Sequence, residues 1–266
     1  MQDFKSHFLF RMCFRNALSV KVQQLAKKYG KLLSVIEMYQ EVYGGKHDEK
    51  YHINAFTNPV CPVITAEPQI QLYHWGLIPH WFQTSGNSQE QQKELQAFRS
   101  KTYIARCETV FEKASYRTPI LQGRCIIPST GYFEYHHETN RTKTPYFIHL
   151  KDTDLFSMAG IYDCWKRADG QEMYSYSLIT APANELTGWI HNGGTNCGRM
   201  PVIFSEEDEK RWLQPDLTFE EITALMKTFP AEHLQAYPIK ADFVRKNPAD
   251  PTILEAEQSR LIQQLS

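Results

Sequence analysis

Charge of one sign is what this 266-residue chain most plainly lacks: 29 Lys and Arg stand against 30 Asp and Glu, a formal net charge of −1. A global basic field that draws in nucleic acid is thereby excluded, and any basic surface has to be a local patch. Long apolar runs are missing too. No stretch approaches the roughly 20 residues that cross a bilayer as a helix, so no membrane partner is expected. The leading MQDFKSHFLFRM lacks the small-residue cleavage site of a secretory signal. Cysteine is sparse, with six residues at 13, 61, 107, 125, 164 and 197 and no CxxC pair. That spacing offers neither a disulfide framework nor a structural zinc site, and it fits reduced thiols in a cytoplasm. No metal and no cofactor is expected. Repeats, low-complexity tracts and Gly/Ser linkers are absent, as is the regular βαβ alternation of a doubly wound sheet.

What is present is 42% hydrophobic and 13% aromatic residues, enough to bury a sizeable core. Ser19 is placed to cap a helix over VKVQQLAKKY, with Gly30 as its stop. Residues 34–43 read as a second short helix. Prolines at 59, 62, 68 and 79 punctuate short β-branched runs, the pattern of strands joined by turns. Residues 84–100 are polar, a loop leading into a surface helix. Strand-like runs then recur at 125–127, 132–135, 146–150, 155–162 and 174–180. Helices are expected from Ser205 to Leu213 and after Thr218, a last strand from Leu234 to Ile239, and a terminal helix after Pro251. The fold class is α+β: a single domain of mostly antiparallel short strands with flanking helices.

Five stretches carry residues suited to chemistry. Cys13 follows Met12, and a mature chain beginning at Cys13 has an α-amine and a thiol on neighbouring carbons. Such a 1,2-aminothiol condenses with an aldehyde to a Schiff base and closes to a thiazolidine. Residues 1–11 then reflect a wrongly assigned start, or are removed. The plain alternative is a small buried thiol. In Trp75-Gly-Leu-Ile-Pro79-His-Trp81 the tryptophans suit either a core or an apolar wedge beside unstacked bases. Ala105-Arg106-Cys-Glu-Thr109 lies among Arg99, Lys101, Arg117 and Arg124, a cluster that suits phosphate or an ion-paired face. Glu134 sits in an aromatic strand, a setting that desolvates a carboxyl for acid or base work; the wet face of an edge strand is the other option. His191 precedes Arg199-Met-Pro-Val-Ile203, in a loop where catalytic and merely packed histidines both occur.

The order of these motifs resembles the SOS-response-associated peptidase (SRAP) family, from about Met12 to about Ile239. The resemblance implies a barrel-like domain over 12–240 with a tail at 241–266. It also implies a monomeric sensor of abasic sites in single-stranded DNA, cytoplasmic and drawn to the nucleoid when DNA is damaged. Cys13 would form the thiazolidine crosslink once the preceding residues are removed, with Glu134 and His191 as its catalytic partners. Arg15, Arg106 and Arg199 would contact DNA, with Trp75 and Pro79 in the wedge. The chain departs from the family at Ile104, where an Asn precedes Ala-Arg, at Phe14 in place of Gly, and in an insertion over 193–198. Two other readings remain: a cysteine-type peptidase acting in trans, and a single-strand binder that does not crosslink.

Overall fold

The computed structural model describes residues 14–32, 49–85, 88–140, 142–167, 169–194 and 196–258. Strand β1 (Arg15–Leu18) leads into helix α1 (Val22–Tyr29), then β2 (Lys50–Asn54), β3 (Val60–Val63) and β4 (Gln71–Trp75). Helix α2 (Ser88–Arg99), the short β5 (Ile104–Arg106) and α3 (Pro119–Gln122) follow. The longest strands come next: β6 (Arg124–Ser129), β7 (Gly131–His137), β8 (Lys143–Leu150), β9 (Phe156–Lys166) and β10 (Glu172–Pro182). Helix α4 (Glu185–Ile190), β11 (Arg199–Pro201), β12 (Ile203–Phe204), α5 (Glu206–Trp212), α6 (Phe219–Leu225) and β13 (Leu234–Pro238) complete the order.

These strands form two sheets. One runs β13-β8-β7-β1-β2; the other runs β12-β9-β10-β4-β3, with β5 and β11 on β10 and β6 on β9. Strand β10 meets β4 and β5 in parallel, and the remaining strand pairs are antiparallel. The domain is therefore mixed α+β with mostly antiparallel sheets, as expected, but the layers do not close into a barrel. Alternation along β7 assigns its two faces. Tyr132 joins the main core with Tyr146 and Ile148. Phe133 and Tyr135 face a second cluster with Ala17, Phe147, Phe243 and Ile253, roofed by the 3₁₀ turns Ala241–Arg245 and Pro251–Leu254.

Local signals mostly set the helix ends. Ser205 Oγ accepts from Asp208 N at 3.2 Å, and Thr218 forms a capping box with Glu221. Gly30 ends α1 with φ of 60°, a left-handed conformation that glycine adopts without steric cost. The start of α1 differs from the expectation: Lys21 is its N-cap, while Ser19 bonds Thr130 Oγ1 through its hydroxyl and amide at 3.0 and 3.1 Å. Ser19 thus ties the end of β1 to the β6–β7 turn instead. After Pro251 the chain makes a 3₁₀ turn and an Ile239–Ala256 bridge, and the rest of the expected terminal helix, from 259 on, lies outside the described residues. The helix expected at 34–43 lies outside the described residues. No helix among the described residues is long and apolar enough to cross a membrane.

Candidate functional site

Glu134 and His191, 57 positions apart in sequence, come together because α4 packs on β7. The helix is short and firmly started: Asn184 Oδ1 accepts from Thr187 N at 2.8 Å and from Thr187 Oγ1 at 2.9 Å. His191 is its C-cap residue, and its backbone N–H donates to Thr187 O at 2.8 Å. Both side chains are fully buried, with His191 Nδ1 3.8 Å from Glu134 Oε1. That separation is too long for a hydrogen bond. His191 Nδ1 lies 3.1 Å from the carbonyl of Arg199. A carbonyl only accepts, so this contact places the proton on Nδ1 and leaves Nε2 as the basic nitrogen.

Phe14 closes one side of this region. It is buried against Phe56 and Tyr103, with ring centroids 5.2 and 5.7 Å away. Strand β1 pairs Asn16 with Tyr132, and two residues back the same register sets Phe14 level with Glu134. Phe14 also lines a cavity of about 200 Å³ with Ser100, Lys101, Tyr103, Ile104, Arg106 and Asn196. Arg106 is exposed, and its Nη2 donates to Asn196 Oδ1 at 2.9 Å. Asn196 comes from the loop between His191 and Arg199, so that loop holds the guanidinium at the cavity. The same loop is anchored to β7: Asn192 Oδ1 accepts from His137 N at 2.8 Å, and Asn192 Nδ2 donates to His137 O at 3.1 Å. Gly193 must lie there without a side chain, since a Cβ would sit 2.4 Å from His137 Nδ1.

The other expected site residues are placed differently. Cys13 lies outside the described residues. Arg15 is 4% exposed, on the β1 face opposite Phe14, with Nη1 3.0 Å from His52 Nε2 and its guanidinium over the Phe243 ring. It packs under the C-terminal turns instead of lining a groove. Burial, then the neighbouring Arg15 charge, pushes the His52 imidazole down to about 3. Arg199 is 8% exposed and clamps Glu108 through two 2.8 Å bonds, while its Nε donates to Thr180 Oγ1 at 3.0 Å. Its fork is thus occupied by a carboxylate, and those bonds hold Glu108 down at about 2. Trp75 is 2% exposed with Nε1 donating to Tyr103 O at 2.9 Å, and Pro79 is buried. Trp81 is the tryptophan of that segment that reaches solvent. Arg124 is buried as well, donating to the carbonyls of Trp212, Ile120 and Leu121. Among the described residues no group of His, Cys, Asp and Glu could hold a metal ion.

A family model described as SOS response associated peptidase (SRAP) matches residues 12–246. The chain belongs to the SRAP family. A Bacillus subtilis relative named abasic site processing protein YoqW is 33% identical over 183 residues, covering 68% of this chain and 74% of that one. The abasic site processing protein HMCES of Xenopus tropicalis is 31% identical over 198 residues, covering 66% of this SRAP chain and 53% of its own longer one. A crystal structure of a Bacteroides thetaiotaomicron protein superposes with a TM-score of 0.84 at 44% identity, covering 92% of this chain and 99% of that one. A Bordetella bronchiseptica protein shares the fold with a TM-score of 0.67 at 19% identity.

Proposed function

We propose that this SRAP protein processes abasic sites in single-stranded DNA by forming a thiazolidine crosslink through Cys13, once the Met12–Cys13 bond is cut. The observation that carries this reading is the sealed Glu134–His191 pair level with Phe14, one peptide bond from Cys13. The names of the curated relatives point to the same lesion.

The chemistry needs two proton handlers beside an aminothiol. An abasic deoxyribose is mostly a closed hemiacetal, and moving a proton from its hydroxyl to the ring oxygen frees the C1′ aldehyde. His191 is suited to that transfer. The Cys13 amine must be neutral to attack C1′, and α-amines titrate at about 7.7–8.0 in model peptides. Glu134 takes that proton and returns one to the carbinolamine oxygen, which leaves as water to give the Schiff base. The Cys13 sulfur then adds to C1′ and its proton ends on nitrogen, closing the ring. One water is released in all, with no change in oxidation state. Arg106 supplies a phosphate contact at the cavity mouth.

A second reading rests on Ile104, whose apolar side chain lines the same cavity: a single-strand binder that does not crosslink. One experiment separates the two. Protein processed to begin at Cys13 is mixed with a single-stranded oligonucleotide carrying one abasic site and run on a denaturing gel. A shifted band absent with the intact oligonucleotide supports crosslinking; salt-sensitive binding with no shifted band supports the binder.

A further inference from the structure

Trp189 is 49% exposed, although it stands two residues before the fully buried His191. The indole is held rather than loose. One face stacks on the His136 ring, with centroids 4.3 Å apart and planes 24° from parallel. Its edge meets Tyr146 at 5.7 Å and 81°. His136 Nδ1 donates to the Trp189 carbonyl at 2.8 Å, which locks ring and helix end together. All of this lies on the catalytic face of the sheet. Tyr146 is paired directly with Glu134 across β7 and β8, and His136 is two residues beyond Glu134 on the same side.

The outer face of the indole is therefore a fixed, flat, apolar surface beside the Glu134–His191 pair. Its surroundings are polar, with Asn192 in the following loop and Glu138 Oε2 3.9 Å from His136 Nε2 behind the indole. A single ring in such a setting is too small for a protein interface, which buries roughly 800 Å² per partner. It matches one aromatic ring presented singly. At the other end of the same loop, Asn196 holds the exposed Arg106. A cation and a platform thus flank the buried pair, the combination that holds a single strand by phosphate and base.

We propose that Trp189, backed by His136, is a stacking platform for the nucleobase flanking the lesion. The proposal rests on the single-strand reading above and adds a second recognition element to it. Stacking on an aromatic side chain is sequence-tolerant and requires only a base at the right place along the strand.

The test is a cycle read by fluorescence anisotropy with labelled single strands. One strand is intact, and others replace one base at a time with tetrahydrofuran, which lacks both base and aldehyde. Trp189→Ala is expected to raise the dissociation constant for the intact strand about tenfold. Trp189→Phe should recover most of that loss and guards against a folding defect, checked by thermal unfolding of each variant. At one position, removing the base should weaken wild type about as much as Trp189→Ala does, and weaken Trp189→Ala little further. Unchanged affinity for Trp189→Ala, or losses that multiply independently at every position, overturns the platform while leaving any crosslink by wild type intact. Coupling at one position with no crosslink by wild type keeps the platform and discards the abasic-site reading. A wild type that binds no single strand discards both.

Discussion

Arg15 on β1 and Glu134 on β7 lie on opposite faces of one sheet, each beside a buried histidine, and the two faces do opposite things with them. On one, Arg15 and His52 pack under Phe243 and the C-terminal 3₁₀ turns; His52 also lines a pocket of about 260 Å³ with Lys50, Asn54 and Lys246, and burial drives it to its neutral form. On the other, Glu134 and His191 are just as deeply buried, with the exposed Trp189 two residues before His191 and Phe14 between them and the cavity that Arg106 lines. Burial alone therefore does not mark a site here. What distinguishes the second face is its pairing: a carboxyl and an imidazole 3.8 Å apart can pass a proton, whereas the first face sets an imidazole against a guanidinium that stays protonated.

The largest effect should come from the face proposed to be catalytic. Glu134→Gln keeps the shape and removes the base, so the crosslinking rate should fall about 100-fold or more with the thermal midpoint little changed. A fall in stability with the rate retained would put Glu134 on the structural side. Arg15→Ala should behave in the converse way. It removes packing and a cation over Phe243 and should cost on the order of 2 kcal/mol in urea unfolding, with the salt dependence of DNA binding unaltered. Arg106→Ala should leave stability alone and lower the slope of log affinity against log salt by about 0.7, one phosphate contact on a single strand. A separate effect, confined to acid pH, is the pH dependence from His52. Its folded value of about 3 lies below the ordinary 6.5, so the unfolded chain binds the proton more tightly. Its contribution is complete above pH 6.5 and is lost as pH falls toward 3; His52→Gln should flatten stability in that window.

How far the sequence reveals this division depends on distance along the chain. Glu134 and His191 stand out by type and setting, and the structure brings them within 3.8 Å. Capping at Ser205 and Thr218 is local chemistry and reads directly. Arg15 and Arg199 look like phosphate ligands until their partners are known: His52 is 37 residues away from the first and Glu108 is 91 from the second. Period-two alternation says which side of β1 Arg15 takes, but not that residues 241–254 cover that side. For the same reason Trp75 and Trp81 cannot be ranked from WGLIPHW alone. Trp189 gave a weak signal, one tryptophan on a six-residue helix that needs few core contacts, and Asn196 gave none, since its bond to Arg106 spans 90 residues.

The most direct test is the intact mass of the adduct, followed by peptide mapping. A protein beginning at Cys13, incubated with an abasic single strand, should give one covalent species at the sum of the two masses less one water, with the strand attached to Cys13 and stable without borohydride reduction. An adduct attached elsewhere, or one that survives only after reduction, would contradict thiazolidine formation on this face of the sheet.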